Sequence, residues 1–235
     1  IGRFFLWLLV KPLRRWDFKA AQRPDIIIAN STHIQKEIKK YYRRDSTVIF
    51  PPVYMERFMK HENARRKRRG FIISGRQTPY KRFDLAVVAC TKLGLPLTVI
   101  GDGPDHGRLR KLAGKTVTFL GRVSDEVVEE EFASAEALIF PGLDDFGITP
   151  VEAMASGTPV IAYKAGGALD YIRPGVTGQF FERRSVASLG GVLKNFDSGR
   201  YSSAAIRAVA QRFSKQTFQK TMADFVKNAW KQHGK

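Results

Sequence analysis

Three stretches of this 235-residue chain carry side chains able to do chemistry. In SGRQTPYKR, residues 74–82, Arg76 and Lys81 sit on a loop containing Gly75 that enters a helix-like segment near Arg82. Two cations beside a helix N-terminus suit a diphosphate, because unpaired N–H groups and the helix dipole add to the side-chain charge. The same pair would serve equally well as solvated surface cations. In FPGLDDFGITPVEAMASGTPVIA, residues 140–162, Asp144 and Glu152 lie eight positions apart around a Phe146-Gly147 turn. Thr149-Pro150-Val151-Glu152 has the order of a capping box, with Thr as cap, Pro at the first helical position and Glu at the third. Glu152 reads either as the reciprocal glutamate of that cap or as a carboxylate able to accept ligand hydroxyls, with the amides of Gly147, Ile148 and Thr149 turned toward an anion. In GDGPDHG, residues 101–107, Gly101 and Gly103 let the backbone turn tightly and approach a ligand. His106 stands where the dinucleotide fingerprint G-x-G-x-x-G needs its third glycine, which argues against a nicotinamide cofactor.

The elements that must position these loops alternate regularly. Short apolar runs (DIIIA 25–29, TVIF 47–50, GFIIS 70–74, LTVI 97–100, VTFL 117–120, ALIF 137–140, PVIA 159–162) predict strands buried on both faces. Between and after them, helix patterns fall in HIQKEIKKYY after Asn30 and Ser31, in RFDLAVVACTKLG ending at Gly94, in GRLRKLAG, in SDEVVEEEFASA with Ser124 as cap, in PVEAMASG, and over 185–196 and 214–230. The alternation predicts an α/β fold with a Rossmann-like, doubly wound parallel sheet, whose ligands bind beyond the carboxyl ends of the strands. Pro51-Pro52 marks a boundary after only about 50 residues with one strand and one helix, too little for an independent domain. Residues 1–51 therefore read as the remnant of an N-terminal domain, 52–212 as a complete α/β domain and 213–235 as a C-terminal helix.

Composition narrows the function classes. Lys and Arg number 40 against 22 Asp and Glu, a net charge of +18, on a background that is 43% hydrophobic and so belongs to a folded protein. The single cysteine, Cys90 in AVVACTKLG, excludes a disulfide scaffold and reads as a core residue of a protein from a reducing compartment. FFLWLLV, residues 4–10, falls far short of the roughly 20 apolar residues that span a bilayer and lacks the cleavage pattern of a secretory signal. Eleven Lys and Arg lie in residues 1–44, and ARRKRRG, 64–70, forms a second basic run that reads as an exposed loop. Residues 123–163 hold nine acids and no Lys or Arg. Basic stripes fit either a nucleic-acid contact or an anionic membrane surface, so a basic binding module without catalysis stands as the alternative to an enzyme. There is no Asp-x-Asp pair, no Cys/His ligand spacing and no carboxylate pair placed for hydrolysis. His33, His61, His106 and His233 read as surface or packing residues.

The stretch DDFGITPVEAMASGTPVIAYKAGGALDYI resembles the E-x7-E segment of the retaining glycosyltransferases of family 4, enzymes with two Rossmann-like domains in the GT-B fold. Within them it is most similar to the mannosyltransferases of cell-surface polysaccharide synthesis. WDFKAAQRPDIIIANSTHIQKEIKKYY and VIFPPV resemble the end of that family's N-terminal domain, SGRQTPYKRFDLAV its phosphate loop and FLGRVSDE its base-binding edge. The resemblance implies transfer of a hexose, mannose from GDP-mannose before a UDP-sugar, to a hydroxyl of a glycan or lipid-linked acceptor with retained configuration. It implies that Arg76 and Lys81 hold the donor diphosphate, that Glu152 binds the ribose hydroxyls and that Asp144 faces the donor sugar. Phe146, Gly147, Ile148 and Thr149 would offer backbone amides, Gly121, Arg122 and Val123 would border the base, and Gly75, Gly101 and Gly103 would line the donor. No metal or other cofactor is implied and no nucleic acid is expected. Asp144 stands one methylene short of the usual glutamate. The resemblance further implies that the acceptor-side domain lies upstream of Ile1 and that this chain alone does not turn over; the cysteine usage predicts the cytoplasm, and the basic N-terminal portion predicts peripheral contact to an anionic membrane near a lipid-linked acceptor. The segment FSKQTFQKTMADFVKNAW, with Phe213, Phe218, Met222, Phe225, Val226 and Trp230 at helical spacing, and FFLWLLV would both leave apolar faces exposed.

Overall fold

The computed structural model describes residues 2–59 and 68–233, with side chains over 9–59 and 68–232. The chain opens with a helix, α1 (Gly2–Ala21), that the apolar pattern did not announce. Two short parallel strands follow, β1 (Ile28–Ala29) and β2 (Thr47–Val48), joined by α2 (Thr32–Tyr42). Ser31 caps α2 by accepting from the Ile34 amide, and α2 ends where Arg43 turns left-handed at φ 56°. This strand pair is a sheet of its own. After Pro51-Pro52 comes the single turn α3 (Glu56–Met59).

The main sheet is all parallel, built from β3 (Phe71–Ser74), β4 (Leu97–Ile100), β5 (Val117–Gly121), β6 (Ala137–Phe140), β7 (Val160–Tyr163) and β8 (Gly178–Phe181). Its order, β5-β4-β3-β6-β7-β8, reverses between β3 and β6, as a doubly wound Rossmann-like sheet does. The helices are α4 (Phe83–Leu93), α5 (His106–Leu112), α6 (Asp125–Ser134), α7 (Ile148–Ala155), α8 (Ala168–Tyr171), α9 (Val186–Lys194), α10 (Ser203–Ala210) and α11 (Lys215–His233). Successive side chains of a strand point to opposite faces. Phe71 and Ile73 accordingly join the layer with α4 and α9, while Ile72 joins the layer with α7 and α10. Both faces of these strands are buried, which accounts for the apolar runs of β3, β6 and β7. Cys90 belongs to the α4 layer, and burial pushes its thiol up to about 12, so it is a core residue with no reactive thiolate.

Several expectations need correction. β5 lies at the edge and alternates half-buried with exposed residues instead of being buried on both faces. β8 was missed because GQFF has no Ile/Val run, and the single-turn helices α3 and α8 were missed because four residues are too few for a period to show; α10 (Ser203–Ala210) was missed as well. In the basic run, residues 64–67 lie outside the described residues, but Arg68 is not an exposed loop residue. Its guanidinium is drawn into the protein, donating to the carbonyls of Ala135 and Gly157 and to Ser203 Oγ. Burial and the nearby Arg207 charge lower its pKa.

Two contacts among the described residues hold the N-terminal segment to the main sheet's layers. Asp170 of α8 accepts from the Thr32 amide at 3.0 Å and from Thr32 Oγ1 at 2.5 Å, fixing the start of α2. Phe50 packs on Phe146 and Phe213, with ring centroids 5.9 and 5.1 Å apart. Among the described residues no helix is long and apolar enough to cross a membrane.

The side chains of residues 4–8 lie outside the described residues, but the far end of that apolar run, Leu9, is exposed. On α11 the expectation differs by position. Phe213, in the turn before α11, is buried, whereas Phe218, Met222, Val226 and Trp230 of α11 line an open apolar groove, with Trp230 76% exposed. This face is expected to make the chain self-associate, and Trp230→Glu to lower the association. Light scattering that finds the unaltered chain monomeric at high concentration would contradict the expectation.

Candidate functional site

The reversal between β3 and β6 brings the two chemically loaded loops together. Ser74 leads into Gly75, then a 3-10 turn, Pro79–Lys81, and Arg82 in the left-handed region at φ 55° before α4 starts. Arg82 is occupied by Asp84, at 3.0 and 3.1 Å. Lys81 instead points across to the second loop, with Nζ 3.2 Å from Asp144 Oδ2 and both side chains mostly covered. Asp144 Oδ1 is buried and has no hydrogen-bond partner among the described residues.

The second loop runs from Phe140 to the start of α7. Gly147 occupies the N-cap position at φ 87° and ψ 90°, where no side chain caps the helix. A Cβ there would lie 2.8 Å from both Phe140 Cζ and the Tyr171 hydroxyl, so glycine is required for space as well as conformation. The capping-box reading is thereby corrected. The helix starts at Ile148, one position before the assigned cap, and Thr149 lies within its first turn. The cost of starting on glycine is an uncapped N-terminus whose first amides remain available to an anion.

These loops, with Asn30 and Pro51 from the N-terminal segment, enclose a cavity of about 520 Å³. Of the residues named from sequence, it brings together Lys81, Asp144, Phe146, Gly147, Ile148 and Thr149. Phe146 contributes through its backbone, because its ring is buried against Phe50, Tyr171 and Phe213. Arg76, Glu152, Gly75, Gly101, Gly103, Gly121, Arg122 and Val123 are not among its lining residues. Arg76 is exposed on the same loop as Lys81. Gly101 and Gly103 have a packing role. A Cβ on either would collide with the backbone of the 75–77 loop, and the Gln77 side chain locks the contact by donating to the Gly101 carbonyl at 2.7 Å. His106 completes that lock through Nδ1, 2.8 Å from Gln77 Oε1, which makes it a packing residue as read. The Gly121 carbonyl in turn accepts from the Gly101 amide at 2.7 Å.

Glu152 is a half-buried carboxyl on α7. Burial pushes its pKa up, Arg57 pulls it down and Asp125 pushes it up again. Arg57 also binds Asp125 and Glu129, each at 3.0 Å. Sequence reasoning missed Asn30, Pro51 and Tyr80 as lining residues, and Gly167, whose amide donates to the Asp144 carbonyl at 3.1 Å. The signal for Asn30 was present, since it follows β1 directly at its carboxyl end. Among the described residues no group of three His, Cys, Asp or Glu could hold a metal ion.

The family described as Glycosyl transferases group 1 matches residues 54–213. A D-inositol 3-phosphate glycosyltransferase of Streptomyces coelicolor is 29% identical over 249 residues, covering 85% of this chain and 54% of that protein. A GDP-mannose-dependent alpha-mannosyltransferase of Mycolicibacterium smegmatis is 34% identical over 149 residues, 61% of this chain and 38% of that protein. The chain thus spans about half the length, or less, of these curated relatives. Anabaena Alr3699/HepE, solved in complex with UDP and glucose, shares the fold at a TM-score of 0.75 and 20% identity, over 92% of this chain and 66% of that one. Sucrose-phosphate synthase from Thermosynechococcus elongatus does so at 0.78 and 19%, over 94% and 62%.

The electrostatics of Glu152 generate a stability prediction. A carboxyl whose native pKa lies above its unfolded value of about 4.3 costs stability once both states are ionised. Relative to Glu152→Gln, the native chain is therefore expected to lose stability as pH rises from that value through the raised native pKa, and to stay below the variant at pH 7. Denaturant melts of both proteins between pH 3.5 and 7 check this, and equal midpoints at every pH would refute it.

Proposed function

This chain belongs to the Glycosyl transferases group 1 family, and on that premise we propose that its cavity is the donor site of a retaining hexosyltransferase. The proposed donor is GDP-mannose and the acceptor a hydroxyl of a glycan or lipid-linked molecule. The observation that carries the reading is the meeting of the Lys81 ammonium, the Asp144 carboxylate and the uncapped start of α7 in one cavity at the reversal of the sheet. In the transfer, the bond from the anomeric carbon to the diphosphate oxygen breaks while the acceptor oxygen bonds to that carbon and gives its proton to the departing diphosphate. Negative charge grows on the departing diphosphate, and fixed donors aimed at growing charge are usually the largest catalytic contribution. Lys81, the exposed Arg76 and the amides of Ile148 and Thr149 are the donors assigned to it, and they make a metal unnecessary. Asp144 is assigned to the sugar hydroxyls, Glu152 to the ribose, and Gly121, Arg122 and Val123 to the base. Glu152 suits that role because the burial cost of its charge is recovered when hydroxyls donate to it.

A UDP-sugar is the second reading, favoured by the fold shared with a protein solved in complex with UDP-glucose. Contact with an anionic membrane on the cytoplasmic face is proposed for α1, where Leu9, Leu13 and Trp16 are exposed among Lys11, Arg14 and Arg15. It would serve a lipid-linked acceptor. Nucleic acid is not proposed as a ligand of the cavity, because Asp144 and Asp145 line it.

Calorimetric titration of GDP, UDP and ADP, with and without magnesium, tests the reading. GDP is expected to bind most tightly without magnesium. Lys81→Ala, Arg76→Ala and Glu152→Ala are each expected to weaken it by about ten- to a hundredfold, the worth of a hydrogen bond to a charged group. A UDP preference would select the second reading, and no binding to the folded chain would overturn both.

A further inference from the structure

Two of the buried side-chain atoms that lack a partner among the described residues lie under the same loop: Asp144 Oδ1 and the Tyr171 hydroxyl. The Tyr171 ring is accounted for by packing, edge-on to Phe146 at 5.6 Å and to Phe213 at 6.2 Å. Phenylalanine would supply that ring without a hydroxyl that cannot reach water. A buried polar group left unpaired is costly, and one in a native fold calls for an explanation. The hydroxyl lies directly beneath Gly147, 2.8 Å from where a Cβ would stand, and feels the Asp144 carboxylate.

Asp144 has a conflict of its own. Its Oδ2 holds Lys81 at 3.2 Å, yet Lys81 is the cation that a diphosphate in this cavity would draw. When the ammonium turns to phosphate oxygens, a largely covered carboxylate is left without its cation. Breaking a buried pair by removing one partner is strongly destabilising unless another donor takes its place. The Tyr171 O–H is a donor with its proton uncommitted, set in the floor of the same loop.

We infer that Tyr171 is a positioning residue that takes over Asp144 from Lys81 when an anionic ligand enters the cavity. Its hydroxyl donates to Oδ1 as Lys81 moves to the ligand, and the carboxylate stays aimed at the ligand's hydroxyls instead of following the ammonium. The inference rests on the donor reading above. It adds to that reading a residue with no contact to the ligand and a cost that appears only on binding.

The test is a double-mutant cycle of Tyr171→Phe and Asp144→Asn, read by calorimetric titration of GDP and UDP and by thermal melts without nucleotide. Tyr171→Phe is expected to melt at the same temperature as the parent or higher, because it removes an unpaired hydroxyl and keeps the ring, yet to bind nucleotide about tenfold more weakly. In the Asp144→Asn background, where Lys81 leaves no anion behind, the same substitution is expected to cost nothing. Undiminished binding by Tyr171→Phe, or an equal loss in both backgrounds, would overturn the inference while the donor reading stood. Failure of the parent to bind any nucleotide would overturn the donor reading and this inference with it.

Discussion

The contact between Lys81 Nζ and Asp144 Oδ2 joins residues 63 positions apart, and it forms because β3 and β6 are neighbours in the sheet. Strands of a parallel sheet all end on one side, so reversal of the winding at these two sends their loops out side by side. The ion pair depends on that reversal, and so does the cavity. A different partner for β3 would leave Lys81 as one surface cation among 40 Lys and Arg.

The second requirement is a fixed α7. Its N-terminus borders the cavity, and its other end is held from behind by two arginines. Arg207 donates to the carbonyls of Ala155 and Ser156, at 3.3 and 3.1 Å, and Arg68 donates to that of Gly157. Cations there complement the helix dipole and satisfy carbonyls that the helix cannot. Arg68 thus contributes to the fold, although it comes from a run that looks like a solvated basic patch. The chain's large positive charge and its acidic 123–163 region are likewise divided by structure. Asp144 and Asp145 face the cavity, whereas Glu129 and Asp125 are turned to Arg57.

Much of this was legible from residue types alone. The Ile/Val runs marked every strand of the main sheet except β8, whose Gly178 start and phenylalanines carry no such pattern. Ser31 and Gly94 marked their helix ends correctly, because each acts within one turn of its own neighbours. Thr149 failed as a cap for a reason outside its neighbourhood. The Phe140 and Tyr171 side chains leave room only for glycine at position 147, which becomes the N-cap, so the helix begins at Ile148 and carries Thr149 inside.

The sequence by itself therefore determined the α/β class, the family and the candidate residues Arg76, Lys81, Asp144 and Glu152, since periodicity, turn chemistry and motif spacing are local properties of a chain. Only the tertiary structure decided which of them share a cavity. Lys81 and Asp144 do; Arg76 and Glu152 stand outside its walls, and Gly101 and Gly103 are spent on holding one loop against another. The unpaired Tyr171 hydroxyl was visible only in three dimensions, because a tyrosine looks the same in sequence whether or not its hydroxyl is buried without a partner. The physical reason is that strand order, not sequence distance, sets which loops meet, and strand order follows from how two apolar layers close around one sheet.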